Sequence, residues 1–418
     1  MTERLLQFIW QLRYFDKNEL VTSAGEPLQI IFPGNLNNDQ GPDFSEAKIR
    51  IAETTWIGSI ELHIKASDWK KHKHHNDENY NNVILHVVWQ NDINADNLIP
   101  VLELQGRVSK ILLERYETLM TTIAFIPCER AIHSVRDIIW KSWKERLLAE
   151  RLSRKAMVVE DYLKDSNCHW EETFWRLLAR NFGMKVNADA FEEMARSISL
   201  NILAKHKNQI NQLEALLLGQ CNLLKANFKD DYSQMLQKEY VFLKKKYELR
   251  PIHTALFFLR MRPGNFPTIR LAQLATLVQQ SVHLFSRIKE AGSVDQVRQW
   301  LAVSANDYWH YHYRLDELSQ YKMKRVGTQM INNIIINTIV PSLFTYGNYH
   351  SEERYKQKAL RWLEQTAAEN NSITNSFEQL NVENKTAFDS QALVELQHGY
   401  CNKKRCLDCA IGNAILKN

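Results

Sequence analysis

The spacing of apolar side chains changes near residue 107. Residues 4–14 repeat apolar positions at i, i+3 and i+4, which predicts an amphipathic helix. The next hundred residues contain short alternating or β-branched runs, which predict strands. These runs are Leu28–Phe32, Ala47–Ala52, Trp56–Lys65, Val83–Trp89 and Ile99–Gln105. With a short helix after Ser67, a plausible N-cap, the predicted order is α-β-β-β-α-β-β.

Beyond residue 107 helical periodicity dominates. The predicted helices include Ile138–Lys164, Trp170–Asn181, Asn187–Lys205, Asn208–Lys225 and Tyr232–Tyr247. Residues 366–389 are polar and predict a linker to a tail that carries three cysteines. The sequence therefore predicts an α+β protein. Its parts are a mixed α/β sheet domain at 1–107, an all-helical domain at 108–365, and a linker with a Cys-rich tail at 366–418 that packs on the body.

Composition agrees with a helix-rich globular chain. Only 13 glycines and 9 prolines occur in 418 residues, which disfavours a turn-rich all-β fold. The most apolar stretch, Met330–Phe344, is interrupted by three asparagines and Pro341, so we expect no membrane span. The N-terminus lacks the apolar region of a secretory signal, and we expect a cytoplasmic protein.

Charge is distributed unevenly along the chain. Residues 1–107 carry 10 basic and 15 acidic side chains, and the remainder carries 43 basic and 33 acidic ones. A basic remainder is compatible with a polyanionic partner such as DNA or RNA, although a solvated helix surface more often explains such an excess.

One polar strand face carries the strongest chemical signal. Alternation places Glu61, His63 and Lys65 on one face of the third predicted strand, and Asp43 precedes the strand before it. Two carboxylates on adjacent strands can converge on Mg²⁺ or Mn²⁺. We expect Asp43, Glu61 and the Leu62 carbonyl to hold the metal, while Lys65 or His63 positions the attacking water.

Asp43 followed eighteen residues later by Glu61-Leu62-His63, in this order of elements, resembles the PD-(D/E)XK phosphodiesterase superfamily of nucleases. The resemblance implies a nuclease-like fold and metal-dependent hydrolysis of a phosphodiester in DNA or RNA. The chain departs from the pattern at His63, where the superfamily has Lys. Lys65 on the same face can replace that Lys, and Lys71 is a more distant candidate.

The whole chain resembles domain-of-unknown-function family 2851, a bacterial family whose activity is not characterised. The matching stretches are Gly-Pro-Asp-Phe at 41–44, Glu-Leu-His with Ser-Asp-Trp at 61–69, Tyr-Asn-Asn-Val-Ile-Leu-His-Val-Val at 80–88, Arg-Pro-Gly-Asn-Phe-Pro at 262–267 and Cys-Leu-Asp-Cys-Ala-Ile-Gly at 406–412. This resemblance identifies the proteins to which the chain is related, but it implies no activity.

Histidines cluster beside the two acids. Five of the 14 histidines fall within 24 residues, at positions 63, 72, 74, 75 and 86. If His63, His86 and one of His72 or His74 converge with Glu61, the site suits Zn²⁺ or Mn²⁺ better than Mg²⁺. Alternatively, His86 is a hydrogen-bonded core residue, and the stretch with Lys71, His72 and His74 is a cationic patch that contacts phosphates.

The cysteines of the tail follow a C-x₄-C-x₂-C spacing at Cys401, Cys406 and Cys409. Thiolates at this spacing can bind Zn²⁺ or an iron–sulfur cluster, with His398 or Cys128 as the fourth ligand. Some nucleases of the superfamily resembled here carry such a cluster as a clamp on the chain. Alternatively the thiols are uncoordinated and the tail is an ordinary amphipathic helix.

A turn with Arg260, Arg262 and Arg270 can grip phosphates, or its arginines can pair with helix carboxylates. Neither a phosphate-binding P-loop nor a dinucleotide fingerprint is present. Three functions remain open: a metal-dependent nuclease-like phosphodiesterase, a non-catalytic nucleic-acid-binding or scaffold protein, and a His-based metallohydrolase of a small molecule. The sequence leaves the oligomeric state open.

Overall fold

The computed structural model describes residues 1–37, 39–93, 99–259, 262–281 and 283–417. Their contacts divide the chain into two compact units, residues 1–143 with 396–418, and residues 144–395. We call these the sheet unit and the helical unit. The cysteine-bearing tail therefore belongs to the sheet unit, while the predicted boundaries at residues 107 and 365 remain predictions.

The described strands are β1 Leu28–Phe32, β2 Asn35–Leu36, β3 Phe44–Ile51, β4 Thr54–Lys65, β5 Val83–Gln90, β6 Val101–Glu103, β7 His312–Arg314 and β8 Glu317–Leu318. The described helices are α1 Glu3–Leu12, α2 Asp68–Lys71, α3 Lys110–Thr121, α4 Asp137–Asp165, α5 Trp170–Phe182, α6 Met184–Ser197, α7 Leu200–His206, α8 Ile210–Gln220, α9 Asp231–Lys246, α10 Pro267–Gln280, α11 Leu284–Glu290, α12 Val294–Leu301, α13 Asp307–His310, α14 Thr328–Ile334, α15 Val340–Tyr349, α16 Glu353–Glu364, α17 Ser372–Gln379, α18 Ala387–Glu395 and α19 Ala410–Lys417.

The sheet unit is built on a mixed sheet with the order β1-β3-β4-β5-β6, in which β2 also pairs with β3. The pairs β1–β3 and β3–β4 are antiparallel, whereas β4–β5 and β5–β6 are parallel. The predicted α+β class is confirmed, and the short strand β2 is an addition to the predicted order.

Burial explains why β4 and β5 occupy the centre of this sheet. The first six residues of β5 are buried, as expected for a strand covered on both faces. α1 contacts β4 and buries five of its ten residues, Leu5, Leu6, Phe8, Ile9 and Trp10. Gly58 permits the close approach of β5, since a Cβ there would lie 2.5 Å from the carbonyl oxygen of Asn82. The centre of the sheet is therefore a packed, fixed platform.

The helical unit departs from the sequence prediction at three places. The antiparallel pair β7–β8 lies within the domain that was predicted to be all-helical. The helix predicted at 187–205 is two helices, α6 and α7, because Ile198 and Ser199 have extended backbone angles. The predicted linker at 366–389 contains α17, which begins with a capping box at Asn371 and buries Phe377. None of the described helices has both the length and the apolar character needed to cross a membrane.

Glu214 on α8 is a fully buried acid in the core of the helical unit. Its Oε2 atom accepts hydrogen bonds from the Tyr232 hydroxyl at 2.9 Å and the Trp309 indole at 2.8 Å. Its Oε1 atom has no partner among the described residues. Burial raises the pKa of Glu214 from 4.5 to about 7, against the lowering effect of the two hydrogen bonds. The folded protein therefore favours the protonated acid.

We predict that Glu214→Gln removes a pH-dependent loss of stability. A raised folded-state pKa means that the contribution of Glu214 is fully present below about pH 4.5 and is lost as the pH rises through about 7. The free energy of unfolding of the variant, relative to wild type, should increase by about 3 kcal/mol between about pH 5 and pH 8. Urea titrations at several pH values measure it, and parallel pH curves for the two proteins would contradict the assignment.

Candidate metal centre

The two acids predicted from the sequence meet across β3 and β4. Phe44 pairs with Ile60, so Asp43 lies next to Glu61. The Asp43 backbone N–H donates to Glu61 Oε2 at 3.0 Å, and the Leu62 N–H donates to Asp43 Oδ2 at 2.9 Å. Gln7 of α1 donates to Asp43 Oδ1 at 2.7 Å. Both Asp43 oxygens are thus hydrogen-bonded within the protein, while Glu61 Oε1 faces the histidines.

This acid pair lacks a cationic partner among the described lysines and arginines. Burial raises the pKa of Asp43 to about 6, against the hydrogen bonds from Leu62 and Gln7 that lower it. Burial, and then the negative charge of Asp43, raise the pKa of Glu61 to about 8. Two buried carboxylates that repel each other are a local cost to the fold, which a bound cation would relieve.

Three histidines gather at Glu61. His63 comes from β4, His72 ends α2, and His74 begins a 3₁₀ turn after Lys73, whose backbone is left-handed. One ring nitrogen from each lies within 4.8 Å of the others. His63 Nε2 is 3.1 Å from His72 Nδ1. Strand β4, the end of α2 and the 3₁₀ turn therefore bring three imidazole rings together.

Glu61 adds a carboxylate oxygen to this group. Its Oε1 atom lies 3.6 Å from His63 Nε2 and 3.5 Å from His74 Nε2. His74 Nε2 is buried and has no hydrogen-bond partner among the described residues. Buried polar atoms are normally paired, so this nitrogen is an available ligand.

Burial lowers the pKa of His63 and of His74, which favours the neutral form that a metal ligand must have. Burial, and then the neighbouring histidines, lower the pKa of His63 to about 3, and burial with His74 lowers that of His86 to about 4. Burial and then His72 also lower the pKa of His74. Unprotonated imidazole nitrogens therefore face Glu61.

His86 lies behind the group rather than in it. On β5 it pairs with Glu61, and its Nε2 atom is 2.8 Å from His63 Nδ1. A hydrogen bond to the far ring nitrogen is how proteins orient a metal-bound histidine. His86, predicted as a ligand, thus lies outside the group of three histidines and contacts one of its members.

The two candidate lysines lie away from the acids. Lys65 ends β4 and is exposed, and its ammonium acts electrostatically on Asp92. Lys71 is exposed, with its Nζ atom 3.6 Å from Asp68 Oδ1. Alternation along β4 predicts that Lys65 lies on the same face as Glu61, but it does not predict how close the two side chains are. His63 occupies the position beside Glu61 that the superfamily pattern gives to Lys.

Two aromatic residues that the sequence analysis did not single out enclose the histidines. Tyr80 stacks on His74 with ring centroids 3.9 Å apart. Trp69 meets His74 edge-on at 5.4 Å and His86 at 5.2 Å. Both residues fall in stretches that carry the family resemblance, and this was the sequence signal that could have identified them as site residues. Gln7, which binds Asp43, lies far from it in the sequence, and no pattern in the sequence indicated that contact.

The cysteine site forms within the sheet unit. Cys128, Cys401, Cys406 and Cys409 are all buried and free of disulfides. Burial raises the pKa of each thiol, and neighbouring thiols raise it further for Cys128, Cys401 and Cys406. Cys128 therefore lies with the three cysteines of the tail, whereas His398 is exposed.

Three N–H groups oppose the effect of burial on Cys409. Burial raises the pKa of its thiol to about 11, whereas the backbone N–H groups of Ile411 and Gly412 and the Trp143 indole lower it. Gly412 is required by packing, since a Cβ there would lie 2.3 Å from the Cys406 carbonyl oxygen. The tail is therefore folded tightly around this sulfur.

The three arginines proposed to grip phosphates do not share one surface. Arg262 is exposed, Arg270 is buried in α10, and Arg260 lies outside the described residues. Arg270 donates to Gln273 Oε1 at 2.9 Å and to Asn265 Oδ1 at 2.6 Å. A guanidinium buried in this way cannot join Arg262 in an open patch for a polymer backbone.

A family model described as "Protein of unknown function (DUF2851)" matches residues 3–372. No curated protein and no solved structure matches the chain. The match covers nearly the whole chain, so the family resemblance predicted from the sequence is confirmed. The chain belongs to the family of proteins of unknown function DUF2851.

Proposed function

We propose that the sheet unit is a metal-dependent phosphodiesterase centre that acts on DNA or RNA. The observation that carries the proposal is the convergence of the imidazoles of His63, His72 and His74, with His74 Nε2 buried, unpartnered and 3.5 Å from Glu61 Oε1. We assign the three histidines as ligands and Glu61, which lies beside two of them, as the fourth, and Asp43 and His86 hold the ligands in place.

The spacing and the type of donor atoms favour Zn²⁺ or Mn²⁺ over Mg²⁺. Metal–nitrogen bonds of 2.0–2.1 Å in a tetrahedral site imply donor atoms about 3.3 Å apart. The separations here are 3.1 Å between His63 and His72 and 3.5 and 3.6 Å from Glu61 to His74 and His63. Imidazole is a borderline ligand that Mg²⁺ avoids.

Such a metal supplies a hydroxide at neutral pH and polarises a phosphoryl oxygen. The chain's own groups supply position and substrate contact. Asp43 fixes Glu61 through its N–H, and His86 fixes the ring of His63. The exposed side chains of Lys70, Lys71 and Lys73 flank the histidines and suit phosphate contacts.

The order of elements also supports a phosphodiesterase. The succession α1, β1, β3, β4, α2, β5, with Asp43 and Glu61 on neighbouring strands, is the arrangement on which the PD-(D/E)XK resemblance rests. The presence of His63 in place of Lys distinguishes the site and fits a metal with imidazole ligands.

A His-based metallohydrolase of a small molecule is the second candidate. Lys65 lies away from the acids, and residues 1–107 have more acidic than basic side chains. An acidic surrounding repels a polyanion and tolerates a small substrate. Substrate preference separates the two candidates.

We predict that His74→Ala loses one equivalent of bound zinc or manganese, whereas His75→Ala keeps it. His75 is the exposed neighbour of His74 and lies outside the group, which makes it a matched control. His86→Ala should bind the metal about 10- to 100-fold more weakly, as expected for an outer partner of a ligand. Metal analysis after chelation and reloading measures these differences.

Glu61→Ala should abolish metal-dependent cleavage while the circular dichroism spectrum stays unchanged. Asp43→Ala keeps the backbone N–H that holds Glu61 and should lower cleavage less. The substrates are single- and double-stranded DNA and RNA, with a small phosphodiester as the comparison. Unchanged cleavage by Glu61→Ala would refute the site. Turnover of the small substrate alone would favour the second candidate, and salt-dependent nucleic-acid binding without turnover would indicate a scaffold.

We infer that Cys128, Cys401, Cys406 and Cys409 bind an iron–sulfur cluster. Tetrahedral zinc requires sulfurs about 3.8 Å apart, because Zn–S bonds are about 2.3 Å. Among the described residues, the three histidines are the one group whose donor atoms all lie within 4.8 Å, so the four thiols as a set are more widely spaced. Wider spacing and N–H donors to Cys409 suit a cluster.

Protein purified without oxygen should therefore contain iron and sulfide and absorb visible light. Cys406→Ser should lose this absorption and lower the thermal midpoint of unfolding, because the tail is then no longer tied to Cys128. Cys168→Ser is the control, since Cys168 is exposed and outside the cluster. Zinc without iron in the purified protein would contradict the cluster assignment.

A further inference from the structure

The helical unit contains a cleft of about 800 Å³ that the metal centre does not use. It lies among α5, α6, α14 and residues 367–370, and its volume is within the usual range for small-molecule sites. Amide side chains line much of it, with Leu177, Met330 and Ile336 as apolar neighbours. The amides are Asn181, Asn265, Gln329, Asn332, Asn333, Asn337 and Asn370, and the charged lining residues are Arg180, Lys185, Arg270 and Glu369.

Arg270 gives this cleft an uncompensated positive charge. The residue is 7% exposed, and no ion pair joins it to a carboxylate among the described residues. Its two terminal nitrogens donate to neutral amide oxygens, of Gln273 and Asn265. Its Nε atom has no partner. A buried guanidinium normally has an anionic partner, so an anion is the missing component.

Arg180 also lines this cleft, and it differs from Arg270 because it is paired with carboxylates. Its Nη1 atom is 2.7 Å from Asp189 Oδ1 and 2.6 Å from Glu192 Oε2. Its charge is therefore neutralised within the protein. Of the two arginines that line the cleft, Arg270 is the one whose charge is not neutralised by a carboxylate of the described residues.

Two amide oxygens of the cleft are also unsatisfied. Asn181 Oδ1 and Asn332 Oδ1 are buried and have no hydrogen-bond partner among the described residues. Asn181 is held by the bond from its Nδ2 atom to Thr338 Oγ1 at 3.1 Å. Unpaired acceptor oxygens are complementary to N–H or O–H groups.

The backbone at the cleft is irregular in a way that often accompanies function. Residues Ile335–Ile339 form a π-helix that presents Ile336, Asn337 and Thr338 to the cleft. Lys155 supports this turn by donating to Asn337 Oδ1 at 2.8 Å. This hydrogen bond holds the π-helical turn in place.

We propose that this cleft binds a small organic oxyanion, a phosphomonoester or a carboxylate, that also carries N–H or O–H groups. Arg270 binds the oxyanion through Nε, and Asn181 and Asn332 accept hydrogen bonds from the rest of the molecule. The site is independent of the metal centre, because its residues belong to the helical unit.

Calorimetric titration of the full chain with defined probes tests this proposal. The probes are inorganic phosphate, the four nucleoside 5′-monophosphates, their nucleosides and L-glutamate. At least one phosphate- or carboxylate-bearing organic probe should bind, and its neutral counterpart, the nucleoside for a nucleotide or L-glutamine for L-glutamate, should bind more weakly. Preference for a nucleotide or for L-glutamate identifies the type of oxyanion.

Arg270→Gln should weaken that binding at least about tenfold, as expected for the loss of a charged hydrogen bond. Arg361→Gln, which changes an exposed arginine of α16 outside the cleft, is the matched control and should bind as wild type does. Asn332→Ala removes an amide oxygen that has no internal partner, and it should also weaken binding. This variant keeps the proposal testable if Arg270→Gln does not fold. Absence of binding by every probe, or equal binding by wild type, Arg270→Gln and Asn332→Ala, would overturn the proposal.

Discussion

The pairing of β4 with an antiparallel neighbour on one side and a parallel neighbour on the other is the constraint on which the candidate metal centre depends. β3 brings Asp43 to Glu61, and β5 brings His86 to Glu61. A shift of one residue in either pairing would turn these side chains to opposite faces. Gly58 permits the close contact with β5, so the register and the site are fixed by the same packing.

Charges buried without a partner mark both proposed sites. In the sheet unit these are the carboxylates of Asp43 and Glu61, and at the cleft of the helical unit it is Arg270. Some other buried charges are neutralised within the protein, as where Arg154 binds Glu395 and Lys144 binds Asp389, and Glu214 is held as the protonated acid. Because an unpaired buried charge lowers stability, its retention is best explained by a ligand of the opposite sign.

Local sequence patterns predicted the sheet well. Alternation identified β1 with the observed bounds, and the separation of Asp43 from Glu61 indicated neighbouring strands. The stated possibility was that His63, His86 and one of His72 or His74 converge, and the structure brings both His72 and His74 to His63. These features depend on spacing within one hundred residues, where alternation and turn chemistry determine the geometry.

Features set by distant segments could not be predicted in this way. The sequence left Cys128 and His398 as equal candidates, and only the packing of the tail places Cys128 near Cys409. The turn residues around Gly264 suggested an exposed arginine loop, yet α10 begins at Pro267 and Arg270 is buried by the packing of the helical unit. Burial depends on which helices meet, and hydrophobic periodicity does not specify that.

The location of a bound metal in the protein tests the central claim most directly. Crystals soaked in zinc and measured at the zinc absorption edge would give an anomalous difference map that locates each zinc ion independently of the protein phases. The account predicts a peak within bonding distance of His63 Nε2, His72 Nδ1, His74 Nε2 and Glu61 Oε1. A map with no peak there, or with zinc bound by other side chains of the sheet unit, would contradict it.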